Sequence, residues 1–100
     1  MTFSDEKIQQ VWEKGKDVLG FDKSKYRKDQ CGAWMIRSEH SNRESKYGWE
    51  IDHILPSSKG GSDDISNLRP LQWENNAAKK DDKLVCVITS SNNTNIKKHD

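Results

Sequence analysis

One stretch of the chain, residues 49–56, restricts the possible folds more than any other. Its β-favouring apolar residues indicate a strand that Pro56 ends. An Asp–His pair, Asp52 and His53, stands inside this strand. Because a partly buried carboxylate and imidazole cost free energy unless a function uses them, the pair predicts a strand that carries chemistry.

Periodicity and turn signals around this strand predict a small α+β domain. A capping residue, Ser4, and apolar residues at helical spacing predict an N-terminal helix that ends near Gly20. The remaining predicted elements are, in chain order, a polar loop over 21–30, strands over 31–37 and 47–55, a loop over 56–64, an edge strand over 67–71, a helix over 71–80, a strand over 84–89 and a frayed tail over 90–100.

Composition limits the core, the partners and the compartment. One hundred residues suit one domain, and only 31% are hydrophobic, so four tryptophans must supply much of the core. The net charge of +1 argues against a general polyanion binder but leaves a local basic face open. Without an apolar signal core or membrane-spanning run, we expect a cytoplasmic protein with no membrane partner. Cys31 and Cys86 match no CxxC pattern, so reduced thiols are the default expectation, although a disulfide stays open.

The Asp–His pair has possible partners for phosphodiester hydrolysis. Imidazole titrates near neutral pH, so His53 is a candidate base, while Asp52 and Asn76 offer oxygen ligands. Oxygen ligands favour Mg²⁺ or Mn²⁺ over a closed zinc site. Strand alternation puts Asp52 and His53 on opposite faces, so a shared site requires a distortion within residues 51–55. Glu50 lies on the face of Asp52 and is either a spare candidate ligand or a solvent-facing strand carboxylate, and the sequence favours neither.

Residues 50–71 resemble the core of HNH endonucleases. The Asp–His pair, a Gly–Gly loop and an Asn-Leu-x-Pro-Leu motif that begins at Asn67 occur in the order and spacing of that family. The similarity extends over residues 47–79 and implies a ββα-metal core, in which two antiparallel strands, a loop and a helix surround one divalent cation. The chain then divides into an N-terminal extension over 1–46, the HNH motif over 47–83, and a short strand with a flexible tail over 84–100.

The resemblance implies a role for each matching residue. His53 is the general base, Asp52 is a metal ligand, and Asn67 braces the loop and the base through hydrogen bonds. Asn76 stands where the family usually has its last histidine, with Asn75 as a rival, and still offers an oxygen to Mg²⁺ or Mn²⁺. The predicted nucleic-acid contacts are Lys59, Arg69, Lys79 and Lys80.

Many members of the family carry a structural zinc held by two CxxC pairs. The corresponding positions in this chain are Lys28, Cys31, Gln72 and Asn75, which leave a single cysteine. We therefore expect no structural zinc, and we expect Trp34 and Trp73 to pack into that space instead.

Together these features predict a divalent-metal-dependent endonuclease that hydrolyses DNA. The alternative is an HNH-fold nucleic-acid-binding module that is catalytically weak or inactive, because an asparagine replaces the last histidine and the charge is near neutral. Asp63 and Asp64 are interpreted as turn residues of the Gly-rich loop, and His40 and His99 as exposed side chains. The choice between DNA and RNA and the oligomeric state stay open.

Overall fold

The computed structural model describes residues 2–99, so Met1 and Asp100 of the predicted terminal segments lie outside it. Its helices and strands are α1 (Asp5–Trp12), β1 (Tyr26–Lys28), β2 (Trp34–Ile36), β3 (Trp49–His53), β4 (Leu68–Gln72), α2 (Trp73–Ala77), β5 (Ile88–Ser91) and β6 (Thr94–Lys97). The strands form three antiparallel pairs, β1–β2, β3–β4 and β5–β6. The predicted α+β class is confirmed.

Helix α1 begins as the sequence predicts but is shorter. Ser4 caps it, since its hydroxyl oxygen accepts a hydrogen bond of 3.1 Å from the Lys7 amide. The helix ends at Trp12 rather than near Gly20, because the chain turns there and the backbone of Lys16 pairs with that of Lys28. Leu19, which contributed to the helical periodicity, is fully exposed.

The core lies between α1 and the β3–β4 pair. Its fully buried side chains are Val11, Trp12, Met35, Trp49 and Leu68. The ring centroids of Trp12 and Trp49 are 5.2 Å apart, so the two largest core side chains pack directly on each other. Ile51 packs against this cluster, whereas Glu50 contacts Asn76 of α2 and Asp52 contacts Lys79, two residues after α2. Strand β3 is therefore covered by α1 on one face and by α2 on the other.

Two predictions for polar segments are wrong. Part of the segment predicted as a polar loop forms β1, and the segment predicted as a frayed tail forms β6 and the second half of β5. The first half of β5 belongs to the strand predicted over 84–89. Asn95 holds this pair in place, because its buried amide accepts a 2.6 Å hydrogen bond from the Trp34 amide and donates one of 2.9 Å to the Trp34 carbonyl. One buried amide therefore anchors a segment whose low hydropathy gives no sign of burial.

The space predicted to hold Trp34 and Trp73 contains a polar network instead. The buried carboxylate of Asp29 accepts four hydrogen bonds, two of them from the Gln72 backbone amide and the Asn75 side chain. Burial raises the pKa of the Asp29 carboxyl, and these donors oppose that shift. The rings of Trp34 and Trp73 pack against Phe21 and Arg43 respectively.

A disulfide joins Cys31 to Cys86 beside this network, with 5.5 Å between their Cα atoms. The default expectation of reduced thiols is therefore wrong for this structure, because the segment that precedes β5 returns to the start of β2. No helix within residues 2–99 is long and apolar enough to cross a membrane.

Candidate functional site

Asp52 lies on the face of β3 that packs against α2, and it is only 5% exposed. Its Oδ2 accepts a hydrogen bond of 2.7 Å from Arg69 Nε, and its Oδ1 accepts one of 2.6 Å from Lys79 Nζ. Strand pairing explains the first contact, since Asp52 and Arg69 are opposite each other in the β3–β4 register. Both oxygens of this candidate ligand therefore have a cationic partner.

Glu50 lies on the same face of β3, two residues before Asp52, and contacts Asn76. Asn76 Nδ2 donates a 2.8 Å hydrogen bond to Glu50 Oε1. Arg43 donates to both carboxylate oxygens of Glu50, at 2.6 and 2.8 Å, and this hydrogen bonding, with the charge of Arg43, lowers the pKa of that carboxyl. Glu50 and Asn76 line a cavity of about 390 Å³, whereas the rival residue Asn75 is fully buried in the Asp29 network.

His53 belongs to the opposite face of β3, at the end of the strand. Its ring Nε2 lies 2.6 Å from Asp63 Oδ1, and its ring centroid is 6.0 Å from that of Phe3. The side chain of His53 keeps 24% of its surface exposed. The interpretation of Asp63 as only a turn residue is wrong, because its carboxylate contacts the candidate base. Lys7 of α1 fixes the Asp63 backbone, donating a 2.8 Å hydrogen bond to its carbonyl.

Asn67 clamps the loop that follows His53. Its side-chain amide exchanges two hydrogen bonds with the backbone of Leu55, at 2.8 and 3.0 Å, and donates a third to the Ser62 carbonyl. The second residue of the Gly–Gly pair must be a glycine for steric reasons, since a Cβ on Gly61 would lie only 1.7 Å from the Leu55 carbonyl oxygen. The loop is thus closed tightly on the residues that follow the candidate base.

The expected distortion does not fall between Asp52 and His53. Strand β3 pairs regularly with β4 through His53, and the chain bends only at Ile54 and Leu55. Asp52 and His53 therefore point to opposite faces, as strand alternation requires. The structure brings Asp52 together with Lys79 and Glu50 together with Asn76, but it pairs His53 with Asp63.

Three of the four predicted nucleic-acid contacts lie in ion pairs. Arg69 and Lys79 contact Asp52, and Lys59 Nζ lies 2.7 Å from a carboxylate oxygen of Asp82. Lys80 is exposed in a turn after α2. The ion pair of Lys59 could not be predicted from the sequence, because Asp82 belongs to a turn that sequence patterns do not define.

The other histidines differ from each other. His99 is exposed as predicted, but His40 is half-buried, with its ring centroid 4.7 Å from that of Trp49. Burial lowers the pKa of His40, and the prediction of an exposed side chain is wrong. Over the described range 2–99, no three His, Cys, Asp or Glu side chains group as a metal-binding cluster.

Comparisons with known proteins show what the central segment is similar to. The family model for HNH endonucleases matches residues 37–82. A curated relative, "Probable mobile endonuclease C" of Enterobacteria phage T4, is 52% identical over 33 residues, which cover 31% of this chain and 16% of that protein. This chain thus spans only a small part of that relative's length. No solved structure matches this chain. The resemblance to the HNH endonuclease family is confirmed, and residues 37–82 are the part of the chain that carries it.

Proposed function

We propose that the chain is a divalent-metal-dependent endonuclease that hydrolyses phosphodiester bonds of DNA, with β3, β4 and α2 as its ββα-metal core. The observation that carries this proposal is the His53–Asp63 pair at the end of β3, within the segment that matches HNH endonucleases. An imidazole oriented by a carboxylate, partly exposed and beside a tightly clamped loop, is suited to general-base catalysis.

His53 is the general base in this proposal. An ionised carboxylate can only accept hydrogen bonds, so in this proposal Nε2 carries the proton and donates a hydrogen bond to Asp63. Nδ1 then keeps its lone pair and would take a proton from a water molecule, whose oxygen attacks the phosphorus atom. The P–O bond to the leaving sugar oxygen breaks, and that oxygen takes up a proton from solvent. Asn67 supports this step by holding the backbone of Leu55, shortly after the base.

Asp52 and Asn76 would hold the divalent cation. Because Asp52 and His53 lie on opposite faces of β3, the proposal requires the end of β3 to rearrange when the cation and DNA bind, so that the cation and His53 reach the same phosphate. Mg²⁺ binds through one or two carboxylates and keeps several waters, so a carboxylate and an amide oxygen fit it without a larger protein cluster. When bound, the ion neutralises charge on the phosphate and the leaving oxygen. Lys79 Nζ contacts Asp52 Oδ1, so Lys79 must yield this oxygen for Asp52 to act as a ligand. Glu50, bonded to Asn76, is the additional oxygen donor on this face.

A plasmid-nicking assay tests the proposal. Supercoiled plasmid is incubated with the wild-type protein in Mg²⁺, in Mn²⁺ and in EDTA, alongside His53→Ala and a matched control, His99→Ala. We expect metal-dependent nicking by the wild type and by His99→Ala, since His99 is exposed and outside the site. The proposal fails if the wild type does not nick in either metal, or if His53→Ala nicks equally fast.

One observation favours a second candidate function, a nucleic-acid-binding module without turnover. Both oxygens of Asp52 are engaged by Arg69 and Lys79, an arrangement that needs no metal. This candidate predicts salt-sensitive DNA binding with no product in any divalent metal. Metal-dependent product formation that His53→Ala abolishes would exclude it.

A further inference from the structure

We propose that a basic pocket beside β4 binds a backbone phosphate of the DNA strand, next to the phosphate that is cleaved. The basic pocket has a volume of about 210 Å³, and its main lining residues are Lys14, Lys16, Lys28, Gln30, Ile54 and Arg69. This inference rests on the proposed nuclease function and adds to it a path for the substrate strand.

The lysines of the basic pocket carry charge that no carboxylate neutralises. None of the ion pairs found within residues 2–99 includes Lys14, Lys16 or Lys28. Among residues 2–99, Lys14 Nζ donates to the carbonyl oxygens of Ile65 and Leu68, which are neutral acceptors and leave its positive charge uncompensated.

The one carboxylate that lines the basic pocket is already satisfied. Asp29 is only 1% exposed, and its two oxygens accept four hydrogen bonds from protein N–H groups. It therefore offers no exposed oxygen to repel an anion or to pair with the lysines. A small pocket with several unpaired cations favours a compact anion, and the phosphodiester group of nucleic acid is such an anion.

Backbone hydrogen bonds hold two of the lysines side by side. The amide of Lys16 donates to the carbonyl of Lys28 at 2.8 Å, and the reverse bond measures 2.9 Å. In such an antiparallel pair the two side chains project from the same side of the backbone. Lys28 Nζ also lies 4.8 Å from the centroid of the Trp34 ring, which restricts its side chain. Because these side chains are already restricted in the free protein, ordering them on binding costs less entropy.

The position of the basic pocket links it to the candidate catalytic residues. Arg69 lines the pocket and also donates to Asp52, the proposed metal ligand. Ile54, another lining residue, directly follows His53. A strand whose cleaved phosphate lies at His53 would therefore bring a neighbouring phosphate to this pocket. Lys14, Lys16 and Lys28 lie outside residues 37–82, so this contact belongs to the part of the chain beyond the HNH match.

Binding measured without cleavage tests the inference. A fluorescein-labelled DNA duplex is titrated in EDTA by fluorescence anisotropy, over a range of salt concentrations. The test variant is Lys16→Gln with Lys28→Gln, and the control is Lys97→Gln with Lys98→Gln, two exposed lysines that do not line the pocket. We expect the test variant to bind roughly tenfold more weakly. We also expect the slope of log K against log salt concentration to become less negative by about 1 to 2. The control variant is expected to bind as the wild type does.

A second measurement protects this test against a folding defect of the variant. In an NMR titration of the wild-type protein with a short duplex, the amide signals of Lys16, Lys28 and Gln30 are expected to shift. The inference is overturned if these signals stay unchanged, or if the test variant binds as the control does. If the wild type still nicks plasmid in that case, only the basic pocket fails. If the wild type neither binds nor nicks DNA, the proposed function fails as well.

Discussion

Replacing Asn75 by alanine is expected to destabilise the fold strongly. The Asn75 side chain is fully buried and makes four hydrogen bonds. Its Oδ1 accepts from the amides of Val87 and Ile88 at 2.9 and 2.8 Å, and its Nδ2 donates to Asp29 and to the Ile88 carbonyl at 3.1 and 3.0 Å. Asn75 therefore joins α2 to the network of Asp29 and to the segment that leads into β5.

The magnitude follows from these contacts. A buried protein hydrogen bond contributes about 1 kcal/mol net, so four lost bonds cost about 4 kcal/mol. This value is a lower bound, because the variant also leaves two backbone amides without an acceptor, and an unsatisfied buried donor costs about 1–3 kcal/mol. A domain of this size has a free energy of unfolding of about 5–15 kcal/mol, so Asn75→Ala removes a large share of it.

Urea denaturation followed by tryptophan fluorescence measures this change. Asn93→Ala is the matched control, because Asn93 is exposed. We expect the free energy of unfolding to fall by about 4 kcal/mol for Asn75→Ala and to stay nearly constant for the control. A loss below about 1 kcal/mol for Asn75→Ala would refute the idea that the four hydrogen bonds of this buried amide stabilise the fold.

Three further predictions concern other contacts. Reducing the Cys31–Cys86 disulfide, with its sequence separation of 55, should lower the free energy of unfolding by up to about 4 kcal/mol on chain-entropy grounds, and an unchanged urea midpoint would contradict this. Gly61→Ala should destabilise the loop and slow plasmid nicking, because its Cβ would meet a backbone carbonyl. Gly20→Ala is strained by its φ of +87° but lies outside residues 37–82, so it should leave nicking unchanged, and equal nicking by both variants would contradict this. Arg43 lowers the pKa of Glu50, so this pair stabilises the fold above the unfolded pKa and the effect disappears as the pH falls through the folded pKa. Urea titrations of Arg43→Gln should show a smaller loss of stability in acid, by under about 1 kcal/mol because the pair is partly exposed, and an identical pH profile would refute it.

The sequence predicted the central elements because their signals are local. Ser4 caps α1, alternation places Glu50 and Asp52 on one face of β3, and the Gly–Gly loop forms where turn chemistry indicates. The resemblance to HNH endonucleases predicted the bracing role of Asn67, and the hydrogen bonds of its side chain to Leu55 agree with that role.

What the sequence did not predict depends on contacts between distant residues. Asn95 and Asp29 are polar residues whose burial is possible only because remote backbone groups satisfy them. The partner of His53 was missed for a related reason, since Asp63 looks like a turn residue until the loop folds back. The ion pair of Asp52 likewise depends on Lys79, which follows α2 and is 27 residues away in the sequence. Hydropathy and periodicity contain no information on such pairs.

Chemical rescue of His53→Ala tests the central claim most directly, namely that His53 is the base of a metal-dependent nuclease. The His53 side chain is 24% exposed, so free imidazole can reach the space that the variant opens. We expect His53→Ala to nick plasmid about 100-fold or more slowly than the wild type in Mg²⁺, and added imidazole to restore part of the rate. Asp52→Asn should also lose activity, without any response to imidazole. Nicking by His53→Ala at the wild-type rate in the absence of imidazole would contradict the claim.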